Sequence, residues 1–558
     1  MSDTASPIES TGVQAPGLVV ANVGAQPLSA AEELKRGIIH TDIHPTVARV
    51  MCIAFVLFIC AAPVSQAIIE LARGERPQAL DVFTRPMKKA NFQRFEDDLA
   101  RASALKQYVQ PQVQTVLSSL GLGCGKPVMG RAAWLFYEPG LNYVGGPGIL
   151  DPRRLFPARG KLTEDDGRRQ RHPDPRPAIL QFNQHCTKAG VHLILLPIPD
   201  KAMLQPAQLS KRFETASAPI DNSDYERLLS ELRAANVDVF DVRPSSLRAG
   251  DIRFLSGDTH WTPEWMQQVA GDLATYITQK NLAPREPVRQ YREEPLNVTG
   301  AGDLIQMLKL PADETMLPPQ AVTVRRVLDT NGRNWQPCRD SNILVLGDSF
   351  CNIYSLESMG WGESAGFAER LSVVLGQGID RIARNDSGAY ATRETLSREL
   401  SNGRNRLAGK RVLVWEFAER ELTAGNWKPL DMTLAPPKPH KFITPPADRP
   451  LIVTATVAAV AGAPKPGTVP YKDHITALHL IDVNNPAGDI SNGEALVYIW
   501  SMRDNRQTPA AHYCEGDGVT LRLSAWPGVE KKVGSINRSE LPDDTLLQEE
   551  PCWGEELK

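Results

Sequence analysis

The sequence predicts an α/β fold in which a parallel sheet is flanked by helices. Between residues 177 and 430, short apolar runs rich in β-branched residues alternate with helical segments, a pattern typical of buried parallel strands. An uncharged apolar stretch over residues 50–69 precedes this region, and alternating β-rich runs follow residue 450. We therefore also expect an N-terminal transmembrane helix and a small C-terminal all-β domain.

The overall composition is that of a folded globular protein. Hydrophobic residues make up 42% and charged residues 23% of the 558 residues, which excludes global disorder. The net charge of -3 offers no basic excess for phosphates, so we expect no nucleic-acid partner. The eight cysteines form no CxxC pair, which argues against a zinc ribbon, although their number is compatible with one or two disulfides.

The apolar stretch is long enough to cross a bilayer. Twenty residues at about 1.5 Å rise span about 30 Å, the thickness of the hydrocarbon core. Residues 1–49 are predicted to be disordered, because they are small, polar and Pro- and Gly-bearing without sustained periodicity. Arg49, with Lys35 and Arg36 upstream, predicts that this segment is cytoplasmic and that the rest of the chain lies outside. The alternatives are a cleaved signal peptide and a buried helix of a soluble domain. The long leader before the apolar run favours an uncleaved anchor.

The remaining chain divides into four predicted parts. Residues 70–129 are predicted to form a juxtamembrane helical strap, and residues 130–432 the α/β domain. Six prolines mark residues 433–450 as a linker. The alternating β-rich runs within residues 451–558 predict the small β domain, a barrel or a sandwich. Within the α/β domain, helices are predicted near 177–189, 223–235 and 263–279, and strands near 191–197, 237–240, 342–346 and 411–415.

Two short motifs could carry chemistry. Gly347-Asp348-Ser349-Phe350 directly follows an apolar strand, so Ser349 lies where active sites of parallel sheets form. Asp258-Thr259-His260-Trp261 precedes an N-cap threonine and a proline that open a helix. Each motif alone also fits a plain loop. Together they supply a nucleophile, a base and an orienting acid.

We predict no metal site and no cofactor. Asp258 and His260 are the only pair that clusters in the sequence with metal-ligand character, and the other histidines are scattered. An aspartate two residues before a histidine is too small a ligand set for zinc.

In combination, these motifs resemble the AlgJ/AlgX family of SGNH-hydrolase-like alginate O-acetyltransferases. Further matching segments are Trp134-Leu135-Phe136-Tyr137, Pro197-Ile198-Pro199-Asp200-Lys201, Gly302-Asp303-Leu304 and Val414 to Leu422. The resemblance covers about residues 80–430. It implies a circularly permuted SGNH fold, because the Asp-x-His motif precedes the serine in the chain.

The resemblance also implies the site and its surroundings. Ser349 would be the nucleophile, His260 the general base, Asp258 its orienting acid, and the Gly388 N–H an oxyanion donor. It implies transfer of acetyl groups to an exported polysaccharide, beside a membrane-bound O-acyltransferase that supplies acetyl. The chain would be a single-pass protein of the inner membrane with its catalytic domain in the periplasm.

Three functions fit these residues. The first is O-acetyl transfer to polysaccharide hydroxyls through an acetyl-serine. The second is a carbohydrate acetylesterase with the same triad, in which water takes the acetyl group. The third is a non-catalytic, membrane-anchored glycan-binding scaffold, against which an intact triad argues.

Overall fold

The computed structural model describes most of the chain from residue 44 to residue 557. The residues it leaves undescribed within that range are 73–76, 84–91, 93–94, 97–98, 101–102, 157–171, 215–219, 244–250, 312, 386–387, 437–441, 465, 467–468, 470, 487, 489, 542–545 and 547–548. The predicted disordered N-terminus, residues 1–49, therefore lies almost wholly outside the described residues. The chain separates into two units, Met1–Ser65 and Gln66–Lys558.

The apolar stretch forms one 28-residue helix, α1 (Pro45–Ala72). Its most apolar 18-residue window has a mean hydropathy of 2.4 and is not buried. In the part of the chain that the structure describes, this is the one helix long and apolar enough to cross a membrane. Near its end, Gln66 and Glu70 are buried and hydrogen-bonded to each other.

A helix and several short elements lead into the α/β domain. They are α2 (Ala104–Ser119), β1 (Pro127–Met129), β2 (Leu135–Tyr137), α3 (Glu138–Gly145), α4 (Pro152–Leu155) and α5 (Pro175–Lys188). Pro175 and Asp174 explain the start of α5, because the proline presets the first helical φ and the Asp174 carboxylate accepts the Arg176 N–H.

The central sheet has five parallel strands in the order β4-β3-β9-β7-β8. The strands are β3 (His192–Ile198), β4 (Asp238–Val239), β7 (Ile343–Gly347), β8 (Asp380–Ala383) and β9 (Val412–Ala418). Alternate side chains of β3 enter two different clusters: Ile194, Leu196 and Ile198 pack on one face, and Leu193 and Leu195 on the other. Both faces are buried, which is why these strands read as continuous apolar runs.

Helices and an antiparallel ribbon surround this sheet. The elements are α6 (Lys201–Leu204), α7 (Pro206–Leu209), α8 (Tyr225–Ala234), α9 (Pro263–Gln279), β5 (Arg292–Gly300), α10 (Asp303–Leu308), β6 (Gln320–Leu328), α11 (Ser349–Asn352), α12 (Phe367–Leu375), α13 (Gly388–Ser401) and α14 (Glu421–Ala424). The predicted parallel sheet and its helices are confirmed. The β5–β6 ribbon and the edge strand β8 were not predicted, because their burial is supplied by distant partners.

The C-terminal region is built around a barrel. Its elements are β10 (Leu451–Val460), β11 (His474–Asn484), β12 (Gly493–Arg503), β13 (Arg506–Gln507), β14 (Gly518–Ala525), α15 (Trp526–Val533), β15 (Arg538–Ser539) and β16 (Pro551–Glu556). The pairing β12-β16-β14-β10-β11 returns to β12, which closes the sheet and removes its edges. A helix accompanies the strands, so the region is not purely β.

A buried polar cluster joins the barrel to the α/β domain. Arg398 of α13 hydrogen-bonds the hydroxyl of Tyr498, which donates to the carboxylate of Glu540 at 2.9 Å. Arg384, after β8, donates to the carbonyl oxygen of Arg538 at 3.0 Å. Burial raises the pKa of Glu540, but the three surrounding arginines outweigh it and lower that pKa to about 2. Arg384 and Arg398 lie 3.6 and 3.7 Å from a carboxylate oxygen of Glu540, so buried ion pairs as well as hydrogen bonds cross this interface.

Candidate active site

The Gly-Asp-Ser turn is fixed at the carboxyl end of strand β7. Asp348 caps helix α11 by accepting the N–H of Phe350 at 2.8 Å, and its second carboxylate oxygen accepts the N–H of Ala418 at 2.8 Å. The Asp348 N–H donates to Glu416 at 2.9 Å. Burial and the adjacent Asp348 raise the pKa of Glu416 well above its ordinary value. The turn carrying Ser349 is thus tied to strand β9.

The Asp-Thr-His-Trp loop is equally fixed. Phe254 and Trp261 form an antiparallel bridge across it, and Thr262 caps α9 as the sequence predicts. The His260 Nδ1 lies 2.6 Å from a carboxylate oxygen of Asp258, whose side chain also accepts the His260 N–H at 3.0 Å. The predicted acid–base pair of the triad is therefore present in the fold.

The structure brings the two motifs into contact. The Trp261 indole donates to the carbonyl oxygen of Phe350 at 3.0 Å, and the Tyr354 hydroxyl donates to the carbonyl oxygen of Trp261 at 2.6 Å. The ring of Phe350, next to Ser349, lies 4.9 Å from the His260 ring. The His260 Nε2 is buried and makes no hydrogen bond to any described residue, so the Ser349–His260 hydrogen bond is not formed here. Such catalytic hydrogen bonds are often long without substrate.

Asp258 is held as a carboxylate by four N–H donors. Besides the two from His260, its second oxygen accepts the Trp361 indole at 2.8 Å and the backbone N–H of Asp303 at 3.0 Å. Burial raises the pKa of Asp258, but His260 and these donors lower it to about 2. Burial alone would lower the pKa of His260, and the charge of Asp258 more than reverses this and raises it.

A second carboxyl, Asp303, supports the same loop. It accepts the Thr259 N–H at 2.8 Å and the Thr259 hydroxyl at 2.5 Å. Burial and the negative charge of Asp258 raise the pKa of Asp303 to about 7. Asp303 thus orients the residue between the two predicted catalytic groups.

Asp258, His260 and Asp303 have the residue types of a metal site, and their potential ligand atoms lie within 4.8 Å of one another. Both oxygens of Asp258 already accept N–H donors, and its bond to His260 occupies Nδ1. This arrangement favours a hydrogen-bonded network over cation binding, because an N–H proton lies where a metal ion would need a lone pair.

Lys201 joins strand β2 to the loop that carries His260. Its buried ammonium donates to the carbonyl oxygens of Leu135, Ser256 and Asp258 at 2.6, 2.8 and 2.9 Å. Burial lowers the pKa of Lys201 to about 7, opposed by the nearby carboxylates of Asp258 and Asp303. Since all three protons are used, Lys201 acts as a positioning residue for the loop.

Replacing Lys201 with methionine should remove one donor from each of those three carbonyls, and the Ser256 carbonyl keeps the backbone N–H of Leu135. We expect the free energy of unfolding to fall by about 2–5 kcal/mol, since each buried unsatisfied group costs about 1–3 kcal/mol. Ester turnover should fall through kcat more than KM, because the loop that carries His260 is displaced. Chemical denaturation and steady-state kinetics measure both, with Lys211→Met on an exposed lysine as the control. Unchanged stability would contradict this role.

An arginine borders the site on the other side. Arg420 pairs with Asp200 through its side chain at 2.9 Å and its backbone N–H at 3.0 Å. Its guanidinium lies 5.3 Å from the Tyr137 ring centre and 5.6 Å from that of Phe350. Tyr137, Arg420 and Thr259 also line one cavity, which places a permanent positive charge beside the histidine loop.

Gly388 begins α13 next to the serine turn. A Cβ at this position would lie 2.1 Å from the Cβ of Asp348, so only glycine allows the helix to start here. Its neighbours Asp386 and Ser387 lie outside the described residues. The position fits the predicted oxyanion role, which stays a prediction.

Several supporting residues carried no chemical signal in the sequence. Trp361, Asp303, Lys201 and Arg420 reach the site from separate elements, and Trp361 is 103 residues from its partner Asp258. Three of these four lie in segments through which the sequence resembles the AlgJ/AlgX family. The resemblance pointed to these segments without assigning roles to their side chains.

The α/β region of the chain matches a known protein family. Residues 150–419 match the family model described as "SGNH hydrolase-like domain, acetyltransferase AlgX". The chain is similar to the probable alginate O-acetylase AlgJ of Pseudomonas fluorescens, with 25% identity over 54% of this chain and 70% of the relative. The AlgJ of Pseudomonas aeruginosa is 26% identical over 53% of this chain and 75% of the relative.

A solved structure is also similar. The O-acetyltransferase domain of Pseudomonas putida AlgJ aligns at a TM-score of 0.38 and 20% identity, covering 54% of this chain and 93% of that domain. The family model and the curated relatives confirm the resemblance found in the sequence: residues 150–419, just under half of the chain, match the SGNH-hydrolase-like domain of the acetyltransferase AlgX, and the chain is similar to the AlgJ proteins.

Proposed function

We propose that this chain is an O-acetyltransferase that adds acetyl groups to hydroxyls of an exported polysaccharide through an acetyl-Ser349 intermediate. The observation that carries the proposal is the state of His260. Its Nδ1 is bonded to Asp258, while its Nε2 is buried, unbonded among the described residues and adjacent to the turn that bears Ser349. A histidine in this state is ready to accept a proton.

The reaction takes two acyl transfers. In the first, the Ser349 Oγ attacks the acetyl carbonyl of the donor while His260 Nε2 takes the hydroxyl proton and passes it to the leaving group. In the second, His260 takes the proton of a sugar hydroxyl, whose oxygen attacks the acetyl-serine. The proton then returns to Ser349, and the acetylated sugar leaves.

The oxyanion formed in each step needs N–H donors. The backbone N–H of Ser349, at the start of α11, and that of Gly388, at the start of α13, are the proposed pair. Both residues lie at the Asp348 turn, which is fixed to strand β9. Arg420 would add positive charge nearby.

We propose that α1 anchors the chain in the inner membrane as a single pass, with the catalytic domain on the periplasmic side. Its length, its hydropathy and the basic residues before it support this. The acetyl donor would then come from a membrane-bound O-acyltransferase, and the acceptor would be a polysaccharide such as the alginate named for the relatives.

Transfer and hydrolysis are separated by the fate of the acetyl group. We expect the purified chain, given an activated acetyl ester and alginate oligosaccharides, to form acetylated oligosaccharide that mass spectrometry detects. Free acetate release should fall as acceptor is added, because sugar and water compete for one acyl-enzyme. A rate of acetate release that does not change with acceptor concentration would instead support an acetylesterase. If neither acetate nor acetylated oligosaccharide forms, the binding scaffold is supported.

A further inference from the structure

Helix α2 (Ala104–Ser119) exposes a row of apolar side chains and buries two polar ones. Its buried face carries Gln114 and Ser118, each 3% exposed and hydrogen-bonded to each other at 3.0 Å. Its outward face carries Val109, Val113 and Val116, which are 45–59% exposed. A helix on a soluble domain buries its apolar stripe and turns its polar side chains outward. The exposed stripe therefore indicates an apolar surrounding other than the body of this chain.

The stripe is continuous along the helix. Val109, Val113 and Val116 follow one another at spacings of four and three, and Leu120 extends the series by four more at the C-cap, 70% exposed. These spacings place the four side chains on one face. From the first to the last, the stripe is about 16 Å long at a rise of about 1.5 Å per residue. Scattered exposed apolar residues need no explanation, but an aligned series does.

The start of α2 is bonded to the end of the apolar helix α1. The N–H of Ala104, the first residue of α2, donates to the side-chain oxygen of Gln66 at 2.8 Å. Gln66 lies near the outer end of the predicted span, residues 50–69. Helix α2 therefore begins close to where the chain would leave the hydrocarbon core.

The charge of the surrounding segment also fits a membrane. Residues 101–126 include three basic side chains, those of Arg101, Lys106 and Lys126, and no acidic one. Lys106, on the first turn of α2, is exposed. Basic residues beside an apolar helix face are favourable at the surface of a bilayer with anionic lipids. A protein partner would not require this absence of acidic groups.

We propose that α2 lies on the outer surface of the membrane, with Val109, Val113, Val116 and Leu120 in the acyl-chain boundary and Lys106 toward the headgroups. The inference rests on the proposed anchoring by α1. Two attachments, the spanning helix and the surface helix, would fix the height and tilt of the catalytic domain above the bilayer. A single spanning helix would leave the domain free to rotate.

Quenching by lipids tests this in the full chain. An environment-sensitive fluorescent amino acid is placed at Val113, and in a second variant at Val288, an 83% exposed valine before β5. Each variant is assembled into lipid nanodiscs that hold one chain per disc and contain anionic lipid. We expect brominated lipids to quench the probe at position 113 at least about threefold more than that at position 288, as for a side chain in the acyl boundary.

A third variant tests whether the apolar stripe itself contacts the lipid, with ester turnover as the check that the chain is folded. With the probe at Val109, the double change Val113→Gln and Val116→Gln should remove most of the quenching, while ester turnover stays at the wild-type rate. Equal quenching at positions 113 and 288 would overturn the proposal. So would weak quenching in one-chain discs if copies also cross-link at Val113 in a separate preparation of liposomes that hold many chains, which would assign the stripe to a second copy.

The outcomes distinguish the surface position of α2 from the proposed anchoring by α1 and from the proposed acetyl transfer. If the chain fails to co-purify with the discs, the anchoring and the surface helix are both wrong. If it co-purifies without quenching at Val113, only the surface helix is wrong. Because the readout is fluorescence, a failure of acetyl transfer leaves the result unchanged.

Discussion

Replacing Ser349 with alanine is expected to abolish acyl transfer and leave the fold intact. The serine hydroxyl is the group proposed to form the acetyl intermediate. The nearby thiol of Cys351 should not substitute for it, because that thiol is fully buried and burial raises its pKa well above the ordinary value. Loss of a triad serine lowers kcat on the order of 10⁶-fold in a well-studied hydrolase, and we expect a loss of similar order here. Mass spectrometry after exposure to an activated acetyl ester should show an acetyl group on the Ser349 peptide of the wild type alone.

The matched control is Ser230→Ala, which removes an exposed hydroxyl on helix α8. It should retain both the adduct and full turnover. The change to alanine removes a single oxygen atom from a small side chain that is 7% exposed, so the variant should unfold at the same denaturant concentration as the wild type. Full activity in that variant, with no adduct on the wild-type peptide, would rule out both enzyme functions and leave the scaffold.

Replacing Asp258 with asparagine should lower kcat on the order of 10⁴-fold, as in triads whose acid loses its charge. The carboxylate accepts four N–H donors, whereas an asparagine side chain presents one oxygen and one N–H₂ group. The asparagine N–H₂ group then faces at least one of the N–H donors that the carboxylate accepted. The His260 tautomer is no longer fixed, and a cost of about 1–3 kcal/mol in stability is expected from the mismatch.

The pH dependence of kcat/KM gives a readout that a structural defect alone would not produce. His260 must be neutral to accept a proton, so activity should rise as pH increases through its raised pKa. Without the Asp258 charge, burial dominates and that pKa falls. The acid limb of the Asp258→Asn variant should therefore move to lower pH, whereas the exposed control Asp313→Asn should keep the wild-type profile. An unmoved limb would show that Asp258 does not act through His260.

The architecture itself follows from local sequence patterns. The β-branched runs at β3, β7 and β9 predict buried parallel strands, since side chains on both faces of such strands must be apolar. Residues 50–69 predict a spanning helix by length and absence of charge. Ser349, His260 and Asp258 could be singled out because serine after a strand and Asp-x-His before a helix are short-range patterns with a known chemical use.

The side chains that hold the His260 loop in place became evident only from the tertiary structure. Trp361, Asp303 and Lys201 reach the histidine loop from elements far apart in the chain, and no local periodicity encodes a hydrogen bond across such separations. The β5–β6 ribbon is stabilised by its own pairing and by distant packing, so its mixed polar pattern gave no strand signal.

The orientation of α2 shows the same division. The sequence predicts a helical strap after the membrane segment, and the apolar spacing within it is visible there. Which face is buried depends on what the helix packs against, and the structure turns the polar face inward. A sequence determines the periodicity of a helix, but only the neighbours contributed by the rest of the chain determine which side meets protein and which is left for another surface.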